Sequence, residues 1–226
     1  KTAQATGATE VIVAHGGSTD NTIALAEQAG ALLVDSPRGR AKQQNAGAAA
    51  SSGDVLLFQH ADNWCSEDSV RQIQAVLKNP KILSGAFQQR IADRRFAYRA
   101  LELGNACRVR LLGLPYGDQG IFIRRDLFDE LGGFPDVPLM EDYLLMRRVR
   151  RIARPVLLRG PHYVSPRRWQ QHGPLRQTLR NWWILAAHAR GATPQQLAKH
   201  YRRHDVKALQ SKRTSAVNDA EETSTV

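Results

Sequence analysis

The chain has 226 residues, 42% of them hydrophobic and 23% charged, the composition of a globular protein with one sizeable core. It contains no run of about 18 apolar residues and so no membrane-spanning helix; its start does not read as an export signal, and Cys65 and Cys107 have neither metal-site nor disulfide-framework spacing. The net charge of +11 is unevenly placed, with 14 Lys or Arg and no Asp or Glu between Arg147 and His204, a field that attracts phosphates.

The first expected element is a buried strand over residues 10–15, followed by the turn "GGSTD", where Ser18, Thr19 or Asp20 can cap a helix running to about Ala29. "ALLVD" reads as a second strand, "SPRGR" as a loop, and "AKQQNAGAAASS" as a helix closed by Gly53. The third strand, "DVLLFQ", is almost wholly apolar, as a strand covered on both faces must be. A helix over 66–78, a strand over 82–91 and a long amphipathic helix over 95–111 follow. "QGIFIRR" is a strand, "RDLFDELGG" a short helix and "MEDYLLMRRVRRIA" a longer one. Short strands at "PVLLRG" and "HYVSP" precede helices over 175–190 and 194–204. Alternating strands and helices with short connections predict one α/β domain with right-handed crossovers. From about Lys207 the apolar periodicity ends, and residues 207–226 read as a disordered tail.

In open α/β sheets ligands gather at the carboxyl ends of the strands. Three polar motifs fall there: "HGGSTD", "SPRGR" and "HADN". Helix N-terminal amides and arginines suit a diphosphate. A carboxylate among them, Asp62, suits a hard divalent cation shared with substrate phosphates, with His60 as a second ligand or a donor to phosphate. Asp62 as a loop cap and His60 as a half-buried strand end is the plainer alternative. "GDQG" sets Asp118 and Gln119 between glycines, and Glu141 and Asp142 open a helix, where acidic residues either serve the helix dipole or act as a general base. Arg167, Arg168 and Trp169 suit a phosphate or an acceptor face, or form a solvated basic turn.

Taken in order, "IVAHGGSTDNT", "SPRGRAKQQNAGAAASSGDVLLFQHADN", "LPYGDQGIFIRRDLFDELGGFP", "PLMEDYLLMRRVRR" and "SPRRWQQHG" with "LRNWW" resemble the family 2 glycosyltransferases of GT-A fold. Within them the chain looks most similar to the branch of arsenosugar-biosynthesis-type glycosyltransferases. The resemblance implies a single Rossmann-like α/β domain over residues 1–206, with a mostly parallel central sheet flanked by helices and a helical C-terminal portion. It implies a nucleotide-diphosphate-sugar donor, with His15 at the position that contacts the base. Gly17, Asp20, Arg38, Arg40, Asn45 and Asp62 complete the donor site. Asp62 would hold Mg²⁺ or Mn²⁺, with His60 where the family's "DxD" has its first acidic residue. Asp142, beside Glu141, is the implied base of an inverting transfer to an acceptor hydroxyl, and Asp118, Gln119, Arg168 and Trp169 lie toward the acceptor or diphosphate. The family opens with a strand ending in a Pro-x-x-Asn-Glu-like segment, which this chain lacks, so an N-terminally truncated domain is expected. The alternative is an inactive sugar-nucleotide-binding remnant. A nucleic-acid partner is not expected, because no aromatics interleave with the basic residues. The acceptor is expected to be a small molecule or a lipid, and the location cytoplasmic. Trp182 and Trp183 either pack in the core or join the basic half in a peripheral membrane contact.

Overall fold

The structure is a computed structural model that describes residues 5–201; the expected tail at 207–226 lies outside the described residues. The elements run β1 (Ile12–His15), α1 (Thr22–Gln28), β2 (Leu32–Asp35), α2 (Arg40–Ala50), β3 (Val55–Phe58), β4 (Asn63–Cys65), α3 (Ser69–Leu77) and β5 (Ser84–Ile91). They continue with α4 (Phe96–Leu112), a single 3₁₀ turn (Gly117–Gln119), β6 (Ile121–Arg124), α5 (Arg125–Glu130), α6 (Glu141–Ile152), β7 (Val156–Val164), α7 (Arg167–His172) and α8 (Pro174–Ala189). A last helix, α9, covers residues 194–201. β4, the 3₁₀ turn and α7 are not foreseen by the sequence pattern, and the two short strands expected near residues 155–166 are one continuous strand, β7.

The α/β architecture is as expected, but the sheet is mixed and not mostly parallel. Two of its pairings are parallel, β1 with β2 and β5 with β7, and three are antiparallel: β3 with β6, β5 with β6, and β4 with β7. The strands form a two-stranded sheet, β1-β2, and a five-stranded sheet in the order β3-β6-β5-β7-β4. Local pattern reports how buried a strand is but not its direction, which explains the difference. Since β3 and β5 both oppose β6, and β5 runs with β7, the carboxyl ends of β3, β5 and β7 share one edge. The starts of β4 and β6 lie on that same edge.

Period-two alternation explains why β3 is apolar throughout. Leu56, with Ile121 and Ile123 of β6, packs under α2, α5 and α6 against Leu127, Phe128, Leu145, Met146 and Val149. Val55 and Leu57, with Phe122 and Phe87, turn the other way onto Ile73 and Val76 of α3. Burying both faces fixes β3 in place, and with it the residues that follow. On α8, Trp182 and Trp183 are 65% and 47% exposed, so core packing is not their role.

The C-terminal end of α2 is closed by an arginine distant in sequence. Arg125 donates from Nε to Gly53 O (2.7 Å), from Nη1 to Ala48 O (3.2 Å), and from Nη2 to Ser51 O (3.0 Å) and Ser51 Oγ (2.5 Å). These are the carbonyls a helix leaves unsatisfied at its end, and a cation there also complements the dipole. Arg125→Ala should cost about 2–3 kcal/mol, read as a fall in melting temperature. Arg125→Lys should not restore it, because one ammonium cannot span four acceptors. A melting temperature unchanged in both variants would remove the clamp from the account.

Candidate active site

The crevice lies where the shared strand edge predicts. β3 delivers His60 and Asp62, the 3₁₀ turn before β6 delivers Gly117 and Asp118, and the starts of α2 and α6 deliver Arg40, Glu141 and Asp142. His60 is half-buried and feels Arg40, Asp118, Asp142 and Asp62 together. Burial, and secondarily Arg40, lower its pKa, while the three carboxylates oppose that shift. A Cβ at Gly117 would come within 2.7 Å of His60 Nε2 and 3.1 Å of Asp142 Oδ2, so only glycine lets this turn pass between the two side chains.

The paired acids at the start of α6 divide into two roles. Glu141 is 1% exposed and pairs with Arg40, which donates from Nη2 to Oε2 at 3.3 Å and brings Nε within 2.8 Å of Oε1 as an ion-pair contact. Burial and the neighbouring Asp142 charge raise its pKa, with Arg40 acting in the opposite direction. Glu141 is thus an anchor. Asp142 accepts the Gly117 N–H at Oδ2 (2.6 Å) and the Tyr143 N–H at Oδ1 (2.7 Å), which fixes its carboxylate beside His60. The residue before the helix, its N-cap Met140, is the one non-glycine residue with positive φ (70°) among the described residues, a strained conformation of the kind that collects at functional sites.

The other expected residues separate into those the structure gathers at this crevice and those it uses elsewhere. Asp118 belongs to the crevice: Oδ2 accepts Gln89 Nε2 at 2.9 Å, and Oδ1 is buried with no hydrogen-bond partner among the described residues. Gln119 is fully buried and accepts Arg108 Nη2 (2.9 Å) and the Tyr116 N–H (3.2 Å), a framework role. Asn45 clamps the backbone of Phe134 at both its N–H (2.9 Å) and its carbonyl (2.8 Å), leaving its amide no reach toward a donor. Arg38 folds back to donate to Gly16 O at 3.1 Å, next to the left-handed Gly17. Asp20 Oδ1 accepts the Thr22 N–H at 3.1 Å, a local turn before α1, whose N-cap is Asn21 and not one of the three residues expected to cap it. Trp169 packs its ring 6.2 Å from that of Tyr98. Arg168 lies in α7, and its side chain is outside the described part. Burial pushes the Cys65 thiol up to about 11, which removes it as a nucleophile.

One residue that the sequence reading did not single out is Asp35. β1 and β2 pair in register, so His15 and Asp35 close the two strands side by side, with His15 Nε2 3.2 Å from Asp35 Oδ1. His15 Nδ1 is buried without a hydrogen-bond partner among the described residues, whereas Asp35 is 92% exposed. The parallel register was the signal, and it is invisible until the strands are paired.

Among the described residues no group of three or more His, Cys, Asp or Glu could hold a metal ion. The exposed Asp62 carboxylate beside His60 nevertheless fits a divalent cation of the kind bound by one or two carboxylates with substrate phosphates completing its shell.

A model of the glycosyl transferase family 2 matches residues 2–133. Among solved structures, S. aureus TarS 1–349 is similar with a TM-score of 0.56 at 18% identity, over 70% of this chain and 51% of that one. The same TarS fragment in complex with UDP-GlcNAc gives 0.55 at 18% identity, over 69% and 49%. Glucosyl-3-phosphoglycerate synthase from Mycobacterium tuberculosis, in complex with Mn²⁺ and UDP-glucose, gives 0.47 at 20% identity, over 70% and 58%. The chain thus spans about half the length of these solved structures. No curated protein matches it.

The Arg40–Glu141 pair generates a stability test with a defined sign. Arg40→Ala leaves a buried carboxylate uncompensated and should cost about 2–3 kcal/mol at neutral pH, the low end for a buried pair because Arg40 is half-exposed. Since Glu141 already titrates above the ordinary carboxylate value, protonation discharges it, and stability rises as pH falls through that raised value. Denaturant melts at several pH values should show the deficit shrinking on acidification. A deficit independent of pH would mean that Glu141 is not the group left exposed to the loss.

Proposed function

Because the chain belongs to the glycosyl transferase family 2, we propose that it moves a sugar from a nucleotide-diphosphate-sugar to an acceptor hydroxyl with inversion at the anomeric carbon. The observation that carries this reading is the convergence of His60 and Asp142 on Gly117, with Asp62 acting on His60, at the strand edge where α/β folds bind ligands. Asp142, held by two backbone N–H groups, is placed to take the acceptor's proton as its oxygen attacks. Asp62, with His60 beside it, would hold Mg²⁺ or Mn²⁺, which when bound neutralises charge on the departing diphosphate. Arg40, oriented by the buried Glu141, adds a fixed cation to the same crevice. At the nucleobase end, His15 is committed to Asp35, so the exposed Asp35 carboxylate supplies the acidic group that residue 15 does not. The order of the sequence strings further supports the arsenosugar-type branch as the chain's place within the family.

Calorimetric titration of UDP and GDP, with and without Mn²⁺, tests the donor site. Nucleotide binding should depend on the metal and disappear in Asp62→Ala. Asp142→Asn should keep nucleotide binding but lose turnover by a factor of about 10² or more. If neither nucleotide binds under any condition, the inactive-remnant reading replaces transfer.

A membrane contact has one specific observation in its favour. Leu179, Trp182 and Trp183 are exposed on α8, which also carries Arg176 and runs into Arg190, within a stretch that has no acidic residue. No described helix is long and apolar enough to cross a membrane. Such a helix suits a bilayer rich in anionic lipid, each basic residue near the surface adding about 1 kcal/mol. Co-sedimentation should therefore rise with phosphatidylserine content and fall in Trp182→Ser; binding indifferent to lipid charge would exclude the contact.

A further inference from the structure

β4, which begins one residue after Asp62, carries a second constellation that the donor site does not use. Register places Arg90 of β5 beside Tyr163 of β7, and Tyr163 beside Trp64 of β4. The three side chains therefore stand in a row on one face of the sheet. The adjacent register row, Gln89, His162 and Cys65, is buried at 1%, 0% and 5% exposure. The row with Trp64 instead borders an open cavity of about 400 Å³, mostly apolar in lining, with Asp93, Arg94 and Arg99 also on its wall. Small-ligand sites have about this size and composition: apolar and aromatic walls with a few convergent polar groups.

The rings of Trp64 and Tyr163 lie 5.6 Å apart and only 13° from parallel, which gives the cavity a flat apolar side. Its charges are not all available. Arg99 is spent on the carbonyls of Ile91 and Asp93 and on Glu102, and Asp93 is gripped by the Arg95 guanidinium at 2.8 Å. Arg90 makes one long contact to Glu102 (3.4 Å) and is otherwise half-exposed, while Arg94 is exposed and makes no hydrogen bond or ion pair with the described residues. Two arginines with free donors beside an aromatic wall match a ligand that has a ring at one end and an anion at the other.

We propose that this cavity is a second binding seat, on the face of the sheet turned away from the crevice, and that its occupant is a sugar ring bearing an anionic group, phosphate or carboxylate. The ring lies against Trp64 and Tyr163, and the anion sits between Arg90 and Arg94. Gln89, in the adjacent row, donates to Asp118 of the crevice, so the row with Trp64 faces the other side of the sheet and the seat stands independently of the transfer reading.

Glucose 6-phosphate, glucuronic acid, glucose and inorganic phosphate are titrated separately into the intact protein, without nucleotide or metal, and followed by tryptophan fluorescence and saturation-transfer NMR. At least one of the charged sugars should bind, and glucose and inorganic phosphate should each be weaker by about tenfold or more. The preferred charged sugar identifies the anion. Arg90→Gln and Arg94→Gln, both at exposed guanidiniums, should each weaken binding by about tenfold, and Trp64→Ala should remove the fluorescence change. All three variants should titrate UDP with Mn²⁺ as the parent does, which shows that they are folded. UDP binding with no response to any sugar overturns the seat and leaves the transfer reading standing. Sugar binding that the arginine variants do not weaken also overturns it. Charged-sugar binding without binding of either UDP or GDP upholds the seat and removes the transfer reading.

Discussion

The ion pair between Arg40 and Glu141 is the constraint around which the crevice is built. It joins the first residue of α2 to the first residue of α6, 101 positions apart in sequence. A carboxylate at 1% exposure costs several kcal/mol to take from water and must be compensated. The compensation here is itself awkward, because a guanidinium at a helix start opposes the local dipole. Glu141 suits the start of α6, whereas Arg40 opposes the start of α2 and is held there by its partner. Together they point two helix N-termini at one space, and the residue after Glu141 is then obliged to face Gly117 and His60.

Around that pair the same two chain regions are tied again by uncharged bonds. Asn45, one turn and a half into α2, holds both polar groups of the Phe134 backbone, and Phe134 packs with Phe58 and Phe128 at 4.8 and 5.6 Å in edge-to-face contacts. A side-chain amide whose carbonyl and NH₂ are each matched costs little to bury, whereas leaving either group unmatched would cost its full desolvation penalty. Phe58 is the last residue of β3, so this cluster also fixes where that strand lets go and hands His60 to the crevice. Packing, amide clamp and ion pair therefore act on one object, the exit of β3.

Which parts of this were legible in the sequence follows from the range of each interaction. Helix and strand positions are set by local periodicity, and the longer elements are readable within a few residues, whereas the short 3₁₀ turn and α7 are not. Strand direction depends on which non-neighbouring segments meet, so the mixed sheet and the three-residue β4 were not. The same limit governs the site. That carboxylates and a histidine collect at strand ends was readable, because chain order and the strand-edge rule suffice. Which of Glu141 and Asp142 is the anchor was not, since the answer is Arg40, a residue 101 positions away. Asn45 and Gln119 looked like ligand contacts because amides in polar motifs serve equally well as framework, and only their partners decide. Asp35 escaped because its significance comes from lying opposite His15 in a parallel register.

Among the described residues no three side chains could hold a metal together, which bears on how a cation would act on the proposed transfer. If Asp62 and His60 are its protein ligands, the remaining coordination would come from substrate phosphate and water. Metal and nucleotide would then bind as a pair, each supplying part of the other's site, and thermodynamic reciprocity would make each raise the affinity of the other by the same factor. Such coupling would bring the metal in with the diphosphate, when neutralising charge on the leaving group is useful. A closed three-carboxylate cage would hold the ion permanently and bring more negative charge toward the diphosphate. His60, whose pKa burial lowers, would add no negative charge beside Asp62 in such a site.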